Sequence, residues 1–395
     1  MAALSNGATV GRVFYLGPLI SSFDRVSIAP LLVPLAIDFH ASLALVANAA
    51  TLYYFLYGIT QPVYGILSDR FGRVPVIAWS LFAVMVASVF SAVAPSVLWL
   101  IIARAATGAA MAAVIPASLV YIADSYPYLV RQRAIVEVSA ATGVGTTLGI
   151  LGSGILATYV SWRVPFALTA IVCGCLALAM RRLAEPNRAA SAGVAAQLRK
   201  VWKAPWARVV IALALADGAV FQGLTTYFAP ALQSRGVTAA MAGLVVAGYG
   251  LATLIGSRLV RRAGGPSGPM LIAIGSGMLA VGYLLAAAIA QTAGILAASL
   301  LAGAAYAFIH SSLQTWATEV VPEARGTATA LFVTTLFVGA AVAAGLAAGP
   351  ADMHAYPAIF LVGAALSIVL GVAGAATMRR YQRTLPGPPL RLAQS

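Results

Sequence analysis

The chain has 395 residues, 61% of them hydrophobic and 9% charged, against about a quarter charged in an ordinary soluble protein, and this excludes a soluble fold. Twelve membrane helices of roughly 20 apolar residues each take up about 240 positions and leave room only for loops and ends. The net charge of +14 would suit phosphate binding, but the placement of the basic residues, given below, removes nucleic acid as a partner.

In chain order, apolar runs between short polar or Gly/Pro breaks predict helices over 12–36, 46–67, 76–94, 97–122, 135–159, 164–181, 207–232, 239–260, 269–289, 293–319, 326–349 and 355–378. The first carries Asp24 and Arg25 in its middle and is too long for the apolar core of a signal peptide, so it reads as a retained helix. The longest polar stretch, 181–208, holds Glu185, Pro186, Arg188, Arg199, Lys200 and Lys203 and divides the spans into two sets of six. The expected organisation is a first half over 1–182, a cytoplasmic linker over 183–206, a second half over 207–380 and a cytoplasmic tail over 381–395. Cys173 and Cys175 lie two residues apart in one apolar run, off a shared helical face, so neither a disulfide nor a metal site follows and no cofactor is implied.

Orientation follows from the basic residues. With both termini in the cytoplasm, the outer loops hold only Arg163 and Arg235, Arg25 and Arg104 lie inside helices, and the rest of the 24 Lys and Arg fall on the inner side. The expectation is a multi-pass protein of a plasma membrane, of the bacterial inner-membrane kind, and monomeric. Sliding the halves by 192 residues aligns Arg133 with Arg325 and Pro165 with Pro357, and small slips align Pro34 with Pro230 and Gly65 with Gly256. Such a parallel repeat is the arrangement of many secondary transporters.

The loop after the second helix reads GILSDRFGR from Gly65 to Arg73, and it resembles the signature between helices 2 and 3 of the major facilitator superfamily. Further pieces fit that resemblance: Arg104, Gly108 and Pro116 in helix 4; Gly143, Gly145, Gly149, Gly152 and Gly154 in helix 5; Ser161, Trp162, Arg163, Pro165 and Phe166 at the next turn; and Pro322, Glu323, Arg325, Gly326 and Thr327 between helices 10 and 11. Arg258, Arg261, Arg262, Gly264 and Gly265 look like a degraded second-half copy of the gate, with Val260 near the place of Asp69. The resemblance implies an all-α integral membrane fold of twelve helices in two six-helix halves. It also implies gating roles for Gly65, Asp69, Arg70, Gly72, Arg73, Arg133 and Arg325, with Asp69 latching onto the start of helix 11 in one access state. A carboxylate at a helix N-terminus is worth roughly 0.3 to 2 kcal/mol. The helix 5 glycines read first as close packing and second as a mark of drug:proton antiporters, whose Gly-Pro pair this helix lacks. Their G-x-G-x3-G spacing is one residue off a dinucleotide fingerprint and follows no strand.

An ionisable residue at membrane depth costs about 2.5 to 3.5 kcal/mol or more, so it points to function. Asp24 and Arg25 in helix 1, Arg104 in helix 4 and Asp217 in helix 7 fall on the helices that line the central cavity of the facilitator fold. Arginine stays protonated, and a carboxylate beside two arginines tends to stay ionised, so Asp217, with no cation near it in sequence, is at least as good a proton carrier as Asp24. The Asp24–Arg25 pair also resembles organic-anion symporters, in which such an arginine meets the substrate carboxylate; Met111 stands where those symporters carry a glutamate. Tyr306, His310 and Gln314 share one face of helix 10, with His310 a candidate proton relay. Phe221, Thr225 and Phe228 continue the Asp217 face and suit an organic substrate. Tyr53, Tyr57, Gln61 and Tyr64 form a stripe on helix 2 expected to border the cavity or pack on helix 11.

The first reading is therefore a proton-coupled transporter that exports a small organic compound, a drug or metabolite, by antiport. Proton symport of an organic anion is the alternative, and a lipid or lysolipid flippase the second. The partners are a small organic substrate, protons and the bilayer. An enzyme is not expected: H-E-x-x-H and G-x-S-x-G are absent, and His40, His310 and His354 are scattered.

Overall fold

The computed structural model describes residues 2–185, 194–262, 267–289 and 291–385. Gly264 and Gly265 of the second gate copy, Pro186 and Arg188 of the linker, and 386–395 of the tail lie outside these. The helices are α1 (Ala2–Asp38), α2 (Leu43–Phe71), α3 (Arg73–Ala92), α4 (Val97–Ser125), α5 (Tyr128–Tyr159), α6 (Val164–Met180), α7 (Pro205–Gln233), α8 (Ala239–Arg262), α9 (Gly268–Ala288), α10 (Thr292–Glu319), α11 (Arg325–Asp352) and α12 (Tyr356–Thr384). Eleven are long and apolar enough to cross a membrane, and α6 is an apolar helix of 17 residues. The described residues contain no strand.

Local chemistry sets the helix ends. Ser42 and Ser96 cap α2 and α4, their hydroxyls accepting from the amides of Leu45 and Trp99 at 3.1 and 3.3 Å, as an N-cap requires. Gly72 joins α2 to α3 at φ 107°, a conformation that side-chain-bearing residues rarely adopt. Its neighbour α3 has its first two amides, Arg73 and Val74, bonded to the Glu185 carboxylate at 2.7 and 2.9 Å.

Two helices depart from continuous α geometry. In α4 the α turns break at Ala112 and Ala113, because the ring of Pro116 displaces the carbonyl four residues before it. In α7 the α turns end at Gly218, a π turn spans Ala219–Gly223, a 3-10 turn Leu224–Tyr227, and α turns resume at Phe228. Pro230 cannot donate to Thr226, and the hydroxyls of Thr225 and Thr226 donate to the carbonyls of Phe221 and Gln222 at 2.8 and 2.7 Å, which takes up acceptors left by the irregular turns.

Packing follows the repeat. α1 lies on α5, α2 on α4 and α3 on α6; correspondingly α7 lies on α11, α8 on α10 and α9 on α12. The two sets meet where α2 packs on α11 and α5 on α8. The linker forms a helix over Val194–Lys203, whose Val201 is buried with Val321, Ala324 and Ala328, while Gln197 Oε1 accepts from the Thr327 hydroxyl at 2.6 Å. The linker is thus partly helical and docked on the α10–α11 corner.

The bundle has two ends, the linker end and the opposite end. At the opposite end the sets are tied together: Leu43 N donates to Asp352 Oδ1 at 2.6 Å, Gln233 Nε2 to the Pro30 carbonyl at 3.0 Å, and Ala240 N to Thr158 Oγ1 at 2.9 Å.

Candidate functional site

Between the two sets lies a cavity of about 280 Å³. It runs from Arg25, Tyr54 and Phe228 at mid-depth to Ser139, Ser257 and Gln314 towards the linker ends of α5, α8 and α10. With the opposite end tied shut, this is a site reached from the linker side. Of the expected residues, Arg25, Phe221, Tyr306, His310 and Gln314 line it, as do Thr225 and Phe228.

Asp24 and Arg104 stand behind that wall. Arg104 donates to Asp24 Oδ1 at 2.8 Å and Oδ2 at 3.0 Å, and to the Asp24 carbonyl at 3.2 Å. Its guanidinium is sandwiched between the rings of Tyr53 at 4.8 Å and Phe166 at 4.9 Å. Both partners are 0% exposed. The bidentate, charge-assisted bonds make the pair a brace between α1 and α4.

Arg25 does not join that pair, which corrects the expectation of one carboxylate facing two arginines. One residue on from Asp24, it is turned by about 100° around the helix and enters the cavity. Its guanidinium lies 5.6 Å from the Phe337 ring, its Nε is buried without a hydrogen-bond partner, and among the described residues no carboxylate pairs with it.

Asp217, 0% exposed, has no cation near it in sequence, but the fold supplies a basic partner: His310 Nδ1 lies 2.7 Å from Asp217 Oδ2. Oδ1 is buried without a partner. The His310 side chain is 14% exposed and lines the cavity, whereas Asp217 is buried behind it. Tyr306 stacks on the imidazole at 4.5 Å and 10°. The irregular turns of α7 begin directly after Asp217–Gly218, where Gly218 abuts the Leu336 carbonyl of α11.

Of the two places expected for the helix 2 stripe, Tyr57 takes the packing one, against α11. Tyr53, Tyr57 and Gln61 do not line the cavity; all three are buried, Tyr53 on Arg104 and Tyr57 against Phe337 of α11 at 4.3 Å. Tyr54, one step round the helix, lines it instead and bonds to Thr226 Oγ1 at 3.2 Å across the two sets. Sequence reading also missed Tyr249, Thr142, Thr146 and Thr253 of the lining; Thr142 and Thr146 lie one turn apart beside the helix 5 glycines, a signal that could have found them.

The gate residues lie at the linker end. Asp69 bonds to Arg73 at 2.6 Å, and Arg73 also reaches the Ser68 hydroxyl at 3.0 Å and approaches Asp124 of α4 at 3.6 Å. The bond from Asp69 to the start of α11 is not formed among the described residues. Arg70 lies 5.2 Å over the Phe71 ring. Gly65 and Gly326 have open space where a side chain would sit, and Arg133 and Arg325 are exposed. Glu185 and Asp124 belong to this cluster although the motif does not contain them.

The helix 5 glycines serve packing: side chains at Gly145 and Gly149 would run into the Leu19 and Phe23 carbonyls of α1, and one at Gly154 into Ala239 of α8.

Comparison with known proteins agrees with this architecture. The family model of the Major Facilitator Superfamily matches residues 14–344 and 248–393. The chain is 26% identical over 355 residues to the uncharacterised MFS-type transporter YceJ of Bacillus subtilis, covering 85% of this chain and 87% of that protein. It is 34% identical over 123 residues to the class C tetracycline resistance protein of Escherichia coli, covering 31% of each. A solved bacterial homolog to the human lysosomal transporter Spinster, inward-facing and unoccupied, superposes with a TM-score of 0.75 over 96% of this chain and 98% of that one at 18% identity, a likeness of fold. An all-helical bundle of paired six-helix sets, a cavity between them and a family match along nearly the whole length make the chain a membrane transporter, not an enzyme, and it belongs to the Major Facilitator Superfamily.

Proposed function

We propose that the protein is a proton-coupled secondary transporter of a small organic anion, moving substrate and proton together as the two six-helix halves rock about the central cavity. The carrying observation is Arg25, a permanent cation in the cavity wall with no carboxylate partner among the described residues. An uncompensated charge at that depth is costly, and a substrate anion offsets it. The Asp217–His310 pair beside it supplies a titratable group that reaches the same cavity. Imidazole is the side chain whose ordinary titration lies nearest neutral pH. In this reading two six-helix halves are joined by a linker at the cytoplasmic end, by the positive-inside rule; α7 starts at Pro205 and α12 runs to Thr384, just outside the expected 207–380.

Export by antiport is the second reading, and the likeness to the tetracycline resistance protein supports it. The helix 5 glycines add little to it, since Gly145, Gly149 and Gly154 sit where α1 and α8 leave no room for a side chain.

The test is luminal pH in proteoliposomes of known protein orientation, with a trapped dye and a panel of organic anions, cations and neutral drugs. Protons entering with an anion, and no such movement in Asp217→Asn, support symport. Protons moving against the measured substrate flux would establish antiport instead.

A further inference from the structure

The cavity has two unlike sides. From α1 comes a single fixed cation, Arg25; among its described lining residues there is no carboxylate. From α7, α8 and α10 come aromatic rings: Phe221 meets Tyr306 edge to face at 5.3 Å and 82°, Tyr249 lies 6.2 Å from Tyr306, and Tyr306 is backed by His310. Arg25, Tyr249 and Tyr306 all line this one cavity. The Tyr249 hydroxyl is buried without a hydrogen-bond partner. Thr142, Thr146 and Thr253 also line the cavity, among apolar side chains such as Ile150 and Val246.

From this juxtaposition we infer that the transported anion is a small aromatic carboxylate, its carboxylate on Arg25 and its ring in the bay of Phe221, Tyr249 and Tyr306. This rests on the anion-transport reading above and narrows it. One guanidinium fork matches one carboxylate, and the lack of any further fixed cation in the wall disfavours dianions. Aromatic rings set edge to face around an open bay prefer another ring to a saturated one. The absence of a carboxylate among the described lining residues disfavours amines. The ring would also cover Tyr306, and through it the imidazole that connects Asp217 with the cavity, so that substrate and proton share one entrance.

The test is equilibrium binding of radiolabelled benzoate to the full chain in lipid nanodiscs, with cyclohexanecarboxylate, benzyl alcohol and benzylamine as competitors. Benzoate is expected to bind, cyclohexanecarboxylate to compete about 5- to 10-fold more weakly, and benzyl alcohol and benzylamine not to compete. Arg25→Ala should abolish binding and Arg25→Lys weaken it about 10-fold. Tyr306→Leu, checked for monodispersity, should bring benzoate and cyclohexanecarboxylate to equal affinity while Arg25 still holds both. Absence of benzoate binding, equal competition by benzylamine, or equal affinity for the two acids in the unaltered chain would overturn the inference. Proton movement is read separately in liposomes with benzenesulfonate, a permanent anion that does not leak across the bilayer as a neutral acid. Proton-coupled flux of an amine would leave a proton-coupled transporter standing and overturn the substrate class. Benzoate binding without proton movement would overturn the coupling and leave the substrate class in place.

Discussion

Asp24 and Asp217 are both fully buried carboxylates, yet their partners give them opposite capacities. Arg104 holds Asp24 with a fork that cannot release its proton, sealed behind Tyr53 and Phe166. His310 holds Asp217 with one bond and opens to the cavity. Breaking a buried ion pair by removing one member costs about 3–5 kcal/mol, whereas replacing both by apolar groups is often neutral. Arg104→Ala is therefore expected to lower the thermal midpoint severely, and the double change Asp24→Leu with Arg104→Met to recover most of it. The double variant should still move protons with substrate; loss of proton movement there would make Asp24 a carrier after all. His310→Gln is expected to keep substrate exchange across the membrane while ending accumulation driven by a pH gradient, and unchanged accumulation would remove the imidazole from the coupling. Every member of both pairs was legible in the sequence as an ionisable residue at membrane depth. Their pairing was not, because the partners stand 80 and 93 positions apart, and only the fold decides that Arg25, next to Asp24, turns away from it.

At the scale of the helix, apolar runs located the spans, since the hydrophobic length a bilayer demands is written directly in composition. The breaks within α4 and α7 were less visible: Pro116 signals one, but the π turn of α7 depends on how α11 crosses at Gly218. Phase errors had the same origin. Tyr53 and Tyr54 differ by one step around α2, and which of them meets the cavity depends on how closely α4 approaches, a distance set by Gly108 against the Tyr53 backbone. For the helix 5 glycines, packing and antiport make different predictions. Gly145 lies against the Leu19 carbonyl, whereas the nearest atom to a side chain at Gly152 would be in the Phe23 ring at 3.8 Å. Overpacking a tight contact costs about 1–3 kcal/mol, and Gly to Ala at a helical site with space gains about 0.4–1 kcal/mol. Gly145→Ala should thus lower the thermal midpoint and Gly152→Ala hold or raise it, with transport direction unchanged in both. A change of coupling direction in either variant would restore the glycines as an antiporter mark.

Across the whole molecule the repeat reaches further than the matches first found. The 192-residue offset places Asp217 one residue from the equivalent of Asp24, and in each half the first helix pairs its carboxylate with a basic group from the fourth, Arg104 or His310. The basic partners are not equivalent by that offset, which takes Arg104 to Leu296 rather than to His310. The α2–α11 contact carries a second symmetry, between the ends of the bundle. Asp352, closing α11, bonds to the first amides of α2 at 2.6 and 3.4 Å, while Asp69, near the end of α2, is held by Arg73 rather than by the start of α11. Asp352 thus engages the N-terminus of α2, and Asp69 is the expected counterpart for the start of α11, a bond not formed among the described residues. A carboxylate at a helix N-terminus contributes about 0.3–2 kcal/mol, equivalent to a population shift of roughly 2- to 30-fold. Asp352→Asn is expected to move the protein by that factor towards the form open at the opposite end, and Asp69→Asn towards the form seen here. Labelling of single cysteines at each end, in a background lacking Cys173 and Cys175, measures both shifts. Since the latches bias one equilibrium from its two sides, the double variant should return towards the unaltered distribution. Equal labelling in all four proteins would mean that the α2–α11 contact is a passive seam, and that the equilibrium is set by the other contacts between the halves, the α5–α8 packing and the Gln233–Pro30 and Tyr54–Thr226 bonds among them.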